Sequence, residues 1–169
     1  MKLYHYTSPH YLRGIARYGL TVGDVPTNLQ RNLGRVGVWL TSAITASGHG
    51  LENSIHNKTQ YRLTVEVPEN SSNLVKWSEW APKHVTAETV KGLHETAAGY
   101  ESWYVFFGVI ESVDISSCTE TMTGTEVSNW GEVSPADLDM KGVPAWRRDA
   151  WHRQLLKKVD RALKATSVR

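Results

Sequence analysis

Cysteine is almost absent from this chain of 169 residues, in which Cys118 is the only one. An intramolecular disulfide is therefore excluded, and the chain suits a reducing compartment. Long hydrophobic runs are missing too: no segment approaches the roughly 20 apolar residues of a membrane-spanning helix, and the N-terminus lacks the apolar stretch of a signal peptide. We therefore expect a cytoplasmic protein without a membrane anchor.

Several signatures of known active sites are also lacking. The sequence contains no G-x-S-x-G elbow, no Walker-type phosphate loop and no G-x-G-x-x-G turn, which argues against a serine hydrolase, a P-loop enzyme and a Rossmann-type dinucleotide site. His84, His94 and Glu95 lie in one segment, but no HExxH motif or cysteine pair accompanies them. We expect no metal site.

What the chain does have is an ordinary globular composition with an uneven distribution of charge. Hydrophobic residues make up 40% and charged residues 21%, within the usual range of globular proteins. The length of 169 residues predicts one domain over residues 1–169. The net charge is +2, but residues 147–169 carry +6 and the remainder carries −4. Residues 144–166 are predicted to form a basic amphipathic helix whose apolar face, with Trp151, Leu155 and Val159, packs on a sheet. The alternative role of its basic face is to bind an acidic partner, either nucleic acid or protein.

Local patterns predict a mixed α+β fold of short strands and few helices. Pro9 is placed to start a first helix and Gly19 to end it, and Gly99 ends another that begins near Thr86. Residues 21–35 are predicted to form a long surface loop, residues 44–59 a short helix that leads into a loop, and residues 74–77 a short strand or turn. The predicted strands, in chain order, cover residues 1–7, 37–42, 61–67, 100–110 and 112–122.

Three separate stretches carry the residues of chemical interest: LYHYTS, GVWLTSAITASGHG and YESWYVFFG. Their order and spacing resemble the three-part signature of the ADP-ribosyltransferase family, in the histidine-type branch that includes the diphtheria-toxin-like and poly-ADP-ribose polymerase enzymes. The resemblance implies a split, twisted, mostly antiparallel sheet with a few flanking helices. It also implies that NAD binds in a cleft between the two halves of that sheet.

The resemblance assigns NAD-binding roles to the first stretch. His5 matches the first-strand histidine, which in the family hydrogen-bonds an NAD ribose hydroxyl. The backbone of Tyr6 would lie where the family holds the nicotinamide carboxamide, and we include Thr7 in the same cofactor-binding set.

The second stretch would complete the nicotinamide pocket. Trp39 would replace the first tyrosine of the family motif, and Thr41 and Ser47 complete the implied cofactor-binding set, with Ser47 contacting the carboxamide. The aromatic residue that stacks on nicotinamide in the polymerases should fall near Gly50. Because glycine cannot stack, His49 or an aromatic residue from another segment is expected to replace it.

Glu101, at the head of the third stretch, matches the catalytic glutamate of the family. Cleavage of the nicotinamide–ribose bond makes the ribose cationic. A carboxylate bound to the 2′-hydroxyl strengthens its hold as that charge grows. The implied pair of catalytic residues is therefore Glu101 and His5.

The resemblance predicts an enzyme that uses NAD as its substrate and transfers ADP-ribose to a protein or a nucleic acid. In its small size the chain resembles the toxin-type or mobile-element-encoded modifiers of the family. The alternatives are an NAD glycohydrolase, a catalytically inactive module that binds a nucleotide, nucleic acid or protein, and a relative of the RNA 2′-phosphotransferases. The last is disfavoured because few basic residues flank the motifs. Taken one at a time, these residues also suit ordinary structural roles. His5 is an ordinary strand residue and Trp39 an ordinary core residue, while Ser47 suits a helix cap and Glu101 an exposed strand edge.

Overall fold

The computed structural model describes residues 1–52, 54–135 and 141–167. Its eight strands are β1 Lys2–Thr7, β2 Asp24–Asn28, β3 Leu33–Val36, β4 Val38–Thr41, β5 Tyr61–Glu66, β6 Leu74–Lys76, β7 Trp103–Phe106 and β8 Ile115–Glu120. Its four α-helices are α1 Pro9–Tyr18, α2 Trp77–His84, α3 Ala87–Glu95 and α4 Arg148–Ser167. The predicted α+β class, with a mostly antiparallel sheet and few helices, is confirmed.

A six-stranded sheet in the order β6-β7-β4-β1-β5-β8 forms the centre of the fold, and every adjacent pair runs antiparallel. Neighbouring strands in this sheet are paired over unequal lengths. β1 pairs with β5 along its whole length, from Lys2 opposite Glu66 to Thr7 opposite Tyr61. β1 and β4, in contrast, are paired only at Tyr4 and Thr41. The two central strands therefore diverge beyond Tyr4.

Buried side chains form one hydrophobic cluster on each face of this sheet. In β4, Leu40 belongs to one cluster while Trp39 packs against the other, as expected for side chains that alternate across a strand. The first cluster joins the sheet to α1 through residues such as Leu12 and Leu63. The second joins it to α2 and contains the tryptophans 77, 80 and 103.

Three local predictions can be compared directly with the structure. The loop predicted over residues 21–35 is wrong, because β2 and β3 pair there as a two-stranded sheet. The short helix predicted within residues 44–59 is also wrong, since the described residues of this segment form turns, bends and irregular backbone. Helix α2 had no prediction. The helix predicted from Thr86 is confirmed as α3, whose first turn Thr86 caps by accepting a hydrogen bond from the Thr89 N–H. Its predicted end at Gly99 is wrong, because α3 ends at Glu95.

The basic helix is confirmed as α4, but it packs along only part of its length. Leu155 and Leu156 are half-buried, whereas Val159 is 36% and Leu163 53% exposed. Every residue from 157 to 166 is exposed. The predicted packing of the whole apolar face is therefore wrong beyond Leu156. No described helix is long and apolar enough to cross a bilayer.

Two glycines provide a matched test of the fold. Gly19 ends α1 with a φ of +77°, and a Cβ there would lie 2.1 Å from the Ile110 carbonyl oxygen. Gly92 is inside α3, and a Cβ there would have no neighbour within 4 Å. Gly19→Ala should lower the free energy of unfolding by about 1–3 kcal/mol from backbone strain alone. Gly92→Ala should raise it by about 1 kcal/mol.

Urea denaturation of the two variants and the wild type measures both effects. A Gly19→Ala variant as stable as the wild type would contradict the contact between the end of α1 and Ile110.

Candidate functional site

A cavity of about 600 Å³ lies where β1 and β4 diverge. It is walled by β1, α1, the segment between α1 and β2, the tryptophans 39 and 103, and the first turns of α4. Its volume lies within the range of small-molecule sites, about 300–1,000 Å³. The cavity is therefore large enough for a dinucleotide or a large part of one.

His5 lies at this divergence with one defined tautomer. Its Nδ1 is 2.9 Å from the Trp39 carbonyl oxygen, and because that oxygen can only accept, Nδ1 must donate. Burial, opposed by this hydrogen bond and aided by Lys58, lowers the pKa of His5 to about 4. The ring is therefore neutral near pH 7. Its Nε2, which has no hydrogen-bond partner among the described residues, is an acceptor beside the cavity.

An aromatic wall lies next to His5. The rings of Tyr6 and His49 are nearly parallel, with centroids 5.9 Å apart. Trp103 donates its indole N–H to Nδ1 of His49 at 2.9 Å, so Nε2 of His49 carries the proton and donates to the Thr45 carbonyl at 3.0 Å. The ring is thus held in one orientation, as a preformed recognition surface requires.

Trp39 connects the cavity to the second hydrophobic cluster. Its indole N–H donates to the Asp24 carbonyl at 2.7 Å, which ties β4 to the start of β2. Its ring lies 4.9 Å from that of Trp77 and 5.3 Å from that of Trp103. Because the same residue accepts the hydrogen bond of His5, the imidazole is positioned by a rigid part of the core.

The charged groups that line the cavity are two lysines and one carboxylate. Lys58 is near enough to His5 to lower its pKa, and it lies 5.9 Å above the ring of Tyr11. Asp24 is the only carboxylate among the described lining residues, and its oxygen is 2.9 Å from Nε2 of the buried His152 in α4. The carboxylate is thus engaged, while Lys58 has no ion-pair partner in the described ranges.

Four of the predicted site residues line the cavity together: His5, Tyr6, Thr7 and Trp39. His49, expected as the replacement for the stacking aromatic, lines it as well.

The other three predicted residues lie outside the lining. The Thr41 hydroxyl is buried at 2.7 Å from that of Ser102, and Ser47 is exposed. Glu101 is exposed in the 3₁₀ turn Tyr100–Ser102, two residues before Trp103. Its charge acts on His94, and its carboxylate has no hydrogen-bond or ion-pair partner among the described residues.

The sequence interpretation missed Lys58, Asp24 and Trp103 as cavity residues. Lys58 lies in the polar segment 57–60, which has no strand or helix periodicity. Asp24 was within the predicted loop. Trp103 stood in the third motif, and its aromatic character was the one available signal.

Neither protein-family models nor curated proteins nor solved structures contain a match to this chain. Among the described residues, no group of three or more His, Cys, Asp or Glu side chains could hold a metal ion. The function must therefore be argued from the cavity itself.

The depressed pKa of His5 predicts a dependence of stability on pH. The ordinary histidine pKa is 6.5 and the folded value about 4, so between these values the unfolded chain binds a proton that the folded chain does not. This contribution to the free energy of unfolding is complete above pH 6.5 and is lost as the pH falls towards 4. The His5→Gln variant retains an N–H donor for the Trp39 carbonyl but has no imidazole, so it should not show this loss of stability between pH 6.5 and 4.

Urea denaturation of both proteins at several pH values across this window tests the prediction, with the exposed His84→Gln as control. Equal pH dependence in wild type and His5→Gln would contradict a buried, neutral His5.

Proposed function

We propose that this chain is an ADP-ribosyltransferase that binds NAD in the cavity between β1 and β4. The observation that carries the proposal is the acceptor Nε2 of His5, held at the opening of the sheet by the bond from Nδ1 to Trp39. The divergence of β1 and β4 supports the finer fold proposal, the split sheet of the ADP-ribosyltransferase family.

The groups around the cavity match the chemical parts of NAD. A neutral imidazole with a free acceptor nitrogen suits a ribose hydroxyl, which donates to it. The parallel rings of Tyr6 and His49 offer apolar faces for nicotinamide, and the ammonium of Lys58 offers a cation for the pyrophosphate. Aromatic surface, a hydroxyl acceptor and a cation in one cavity favour a dinucleotide over a purely apolar ligand.

The proposed reaction breaks the bond between nicotinamide N1 and ribose C1′. The bonding electron pair leaves with neutral nicotinamide, and the ribose becomes cationic. A nucleophile of the acceptor forms a new bond to C1′ and releases a proton. A carboxylate near the ribose stabilises the cationic transition state.

We assign that role to Glu101. Asp24 lines the cavity, but its carboxylate is engaged by His152. Glu101 has a carboxylate without such a partner among the described residues, and it lies two residues from Trp103 in the cavity wall. A ligand that extends past Trp103 towards solvent would approach it.

The exposed position of Glu101 also favours a second candidate function. If the carboxylate does not reach a bound dinucleotide, the chain is a nucleotide-binding module without transferase activity. The two functions share the cavity and differ in whether NAD is consumed.

The test incubates the purified protein with NAD labelled in the adenylate part and with a cell lysate. Nicotinamide release and label on macromolecules are measured separately. Glu101→Gln should lower both by at least about 100-fold. Glu95→Gln, an exposed glutamate on α3 that pairs with Lys91, is the matched control and should leave both unchanged.

Nicotinamide release without label on any macromolecule would identify an NAD glycohydrolase instead. Binding of NAD without release would support the binding module, and a protein that neither binds nor cleaves NAD would refute both proposals.

The role of His5 gives an independent prediction. Because a leucine side chain has no acceptor for a ribose hydroxyl, His5→Leu should weaken NAD binding about tenfold, roughly one lost hydrogen bond to a neutral group. Isothermal titration calorimetry measures the affinity, with His84→Leu as control. Unchanged affinity in His5→Leu would show that Nε2 does not contact the ligand.

A further inference from the structure

We propose that a second, basic depression beside the cavity binds the backbone of a single-stranded nucleic acid. This basic depression has a volume of about 630 Å³ and is lined by residues that include Arg13, Arg17, Lys141, Arg147, Trp151 and Gln154. As the acceptor site of an ADP-ribosyltransferase it rests on the proposed function, but binding of the nucleic acid itself does not.

The basic depression and the cavity share a boundary. Gly14 of α1 and Gly142 line both, and a Cβ on Gly142 would lie 2.6 Å from the Gly14 carbonyl oxygen. Lys141, Val143 and Trp151 also line both. A polymer held in the depression therefore lies directly beside a ligand in the cavity, as transfer between two substrates requires.

Among the described lining residues of the basic depression, every charged side chain is a cation. The depression is lined by four Lys and Arg side chains, and no Asp or Glu is among its described lining residues. The four cations come from different parts of the chain: two from α1, one from residue 141 and one from the 3₁₀ turn Ala145–Arg147. Cations that converge on a concave surface focus a positive potential, which attracts an anionic polymer more strongly than the same charges spread over a convex face.

The positive surface continues along α4. Gln154 lines the basic depression, and Lys158 and Arg161 follow it at positions i+4 and i+7, on the same face of the helix. Both lie in the exposed half of α4. From Arg148 to Arg161 the helix advances about 20 Å, enough for contacts with several successive phosphates of an extended nucleic-acid strand.

An exposed indole distinguishes a single strand from other polyanions. Trp146 is 82% exposed, and it lies between Ala145 and Arg147 in the turn that supplies a cation to the depression. Bases stack on such side chains only when they are unpaired, whereas a duplex keeps its bases inside. Phosphate-binding cations next to an exposed aromatic ring are the combination that single-strand-binding surfaces use.

Fluorescence anisotropy with a labelled mixed-sequence DNA strand of about 12 nucleotides tests the proposal. Lys158→Gln/Arg161→Gln and Arg17→Gln/Arg147→Gln should each weaken binding at least about tenfold. Each should also reduce the slope of log affinity against log salt by about 1.4, the loss of two single-strand phosphate contacts. Trp146→Ala should weaken binding about tenfold.

The matched control is Lys76→Gln/Lys83→Gln, which removes two exposed lysines at the two ends of α2 and should leave the affinity unchanged. The proposal is overturned by no binding at low salt, or by equal weakening in the control pair. It is also overturned if heparin or a DNA duplex binds as tightly as the strand and Trp146→Ala has no effect, because the surface would then be a general polyanion site.

The acceptor role is tested separately from NAD chemistry. Without nucleic acid, nicotinamide release should be the same in Lys158→Gln/Arg161→Gln and in wild type, while transfer of label to the strand should fall at least about tenfold in the variant. If the strand binds but NAD is never consumed, the proposed function fails and the binding inference stands. If NAD is consumed but no DNA strand binds, the binding inference fails and the proposed function stands.

Discussion

The hydrogen bond from His5 to the carbonyl of Trp39 is the interaction on which the site depends. Where β1 and β4 diverge, the strands no longer satisfy each other's backbone groups, and a buried carbonyl without a donor costs free energy. The imidazole supplies the missing donor. In doing so it fixes its own tautomer and leaves an acceptor nitrogen beside the cavity. One bond thus compensates for the opening of the sheet and orients the nitrogen that we propose binds NAD.

Trp39 can fill this role because the second hydrophobic cluster holds it. Its ring packs against Trp77 and Trp103, and its N–H binds the Asp24 carbonyl. Trp103 in turn orients His49 through Nδ1. The two imidazoles near the cavity are therefore positioned from the same aromatic cluster, although they come from segments more than 40 residues apart. Because the cluster is densely packed, the side chains that it holds have little freedom to move, as a preformed site requires.

The cavity and the basic depression differ in chemistry while sharing a wall. The cavity combines aromatic faces, an acceptor nitrogen and lysines, while the charged groups among the described lining residues of the depression are all cations. The close contact of Gly142 with Gly14 permits this arrangement, because any side chain at Gly142 would separate the segment from α1. A donor of ADP-ribose and an anionic acceptor would occupy adjacent sites with little chain between them.

Much of the framework was predictable from local patterns. Proline at the start of α1, glycine at its end and the alternation in β5 are short-range signals, and they placed these elements correctly. The basic helix and the first-strand histidine could also be named from the sequence. The hairpin of β2 and β3 could not, because residues rich in Gly, Asn and Thr form strands there only through pairing with each other.

The sequence by itself determined which residue types were available: a histidine between tyrosines, a tryptophan in a short strand, and a basic C-terminal segment. Only the tertiary structure decided which of them meet. It brought Lys58 and Trp103 to the cavity, engaged Asp24 with His152 and left Glu101 exposed before β7. Antiparallel pairing and packing across two faces set these distances through contacts between residues far apart in the chain, and no local pattern records them.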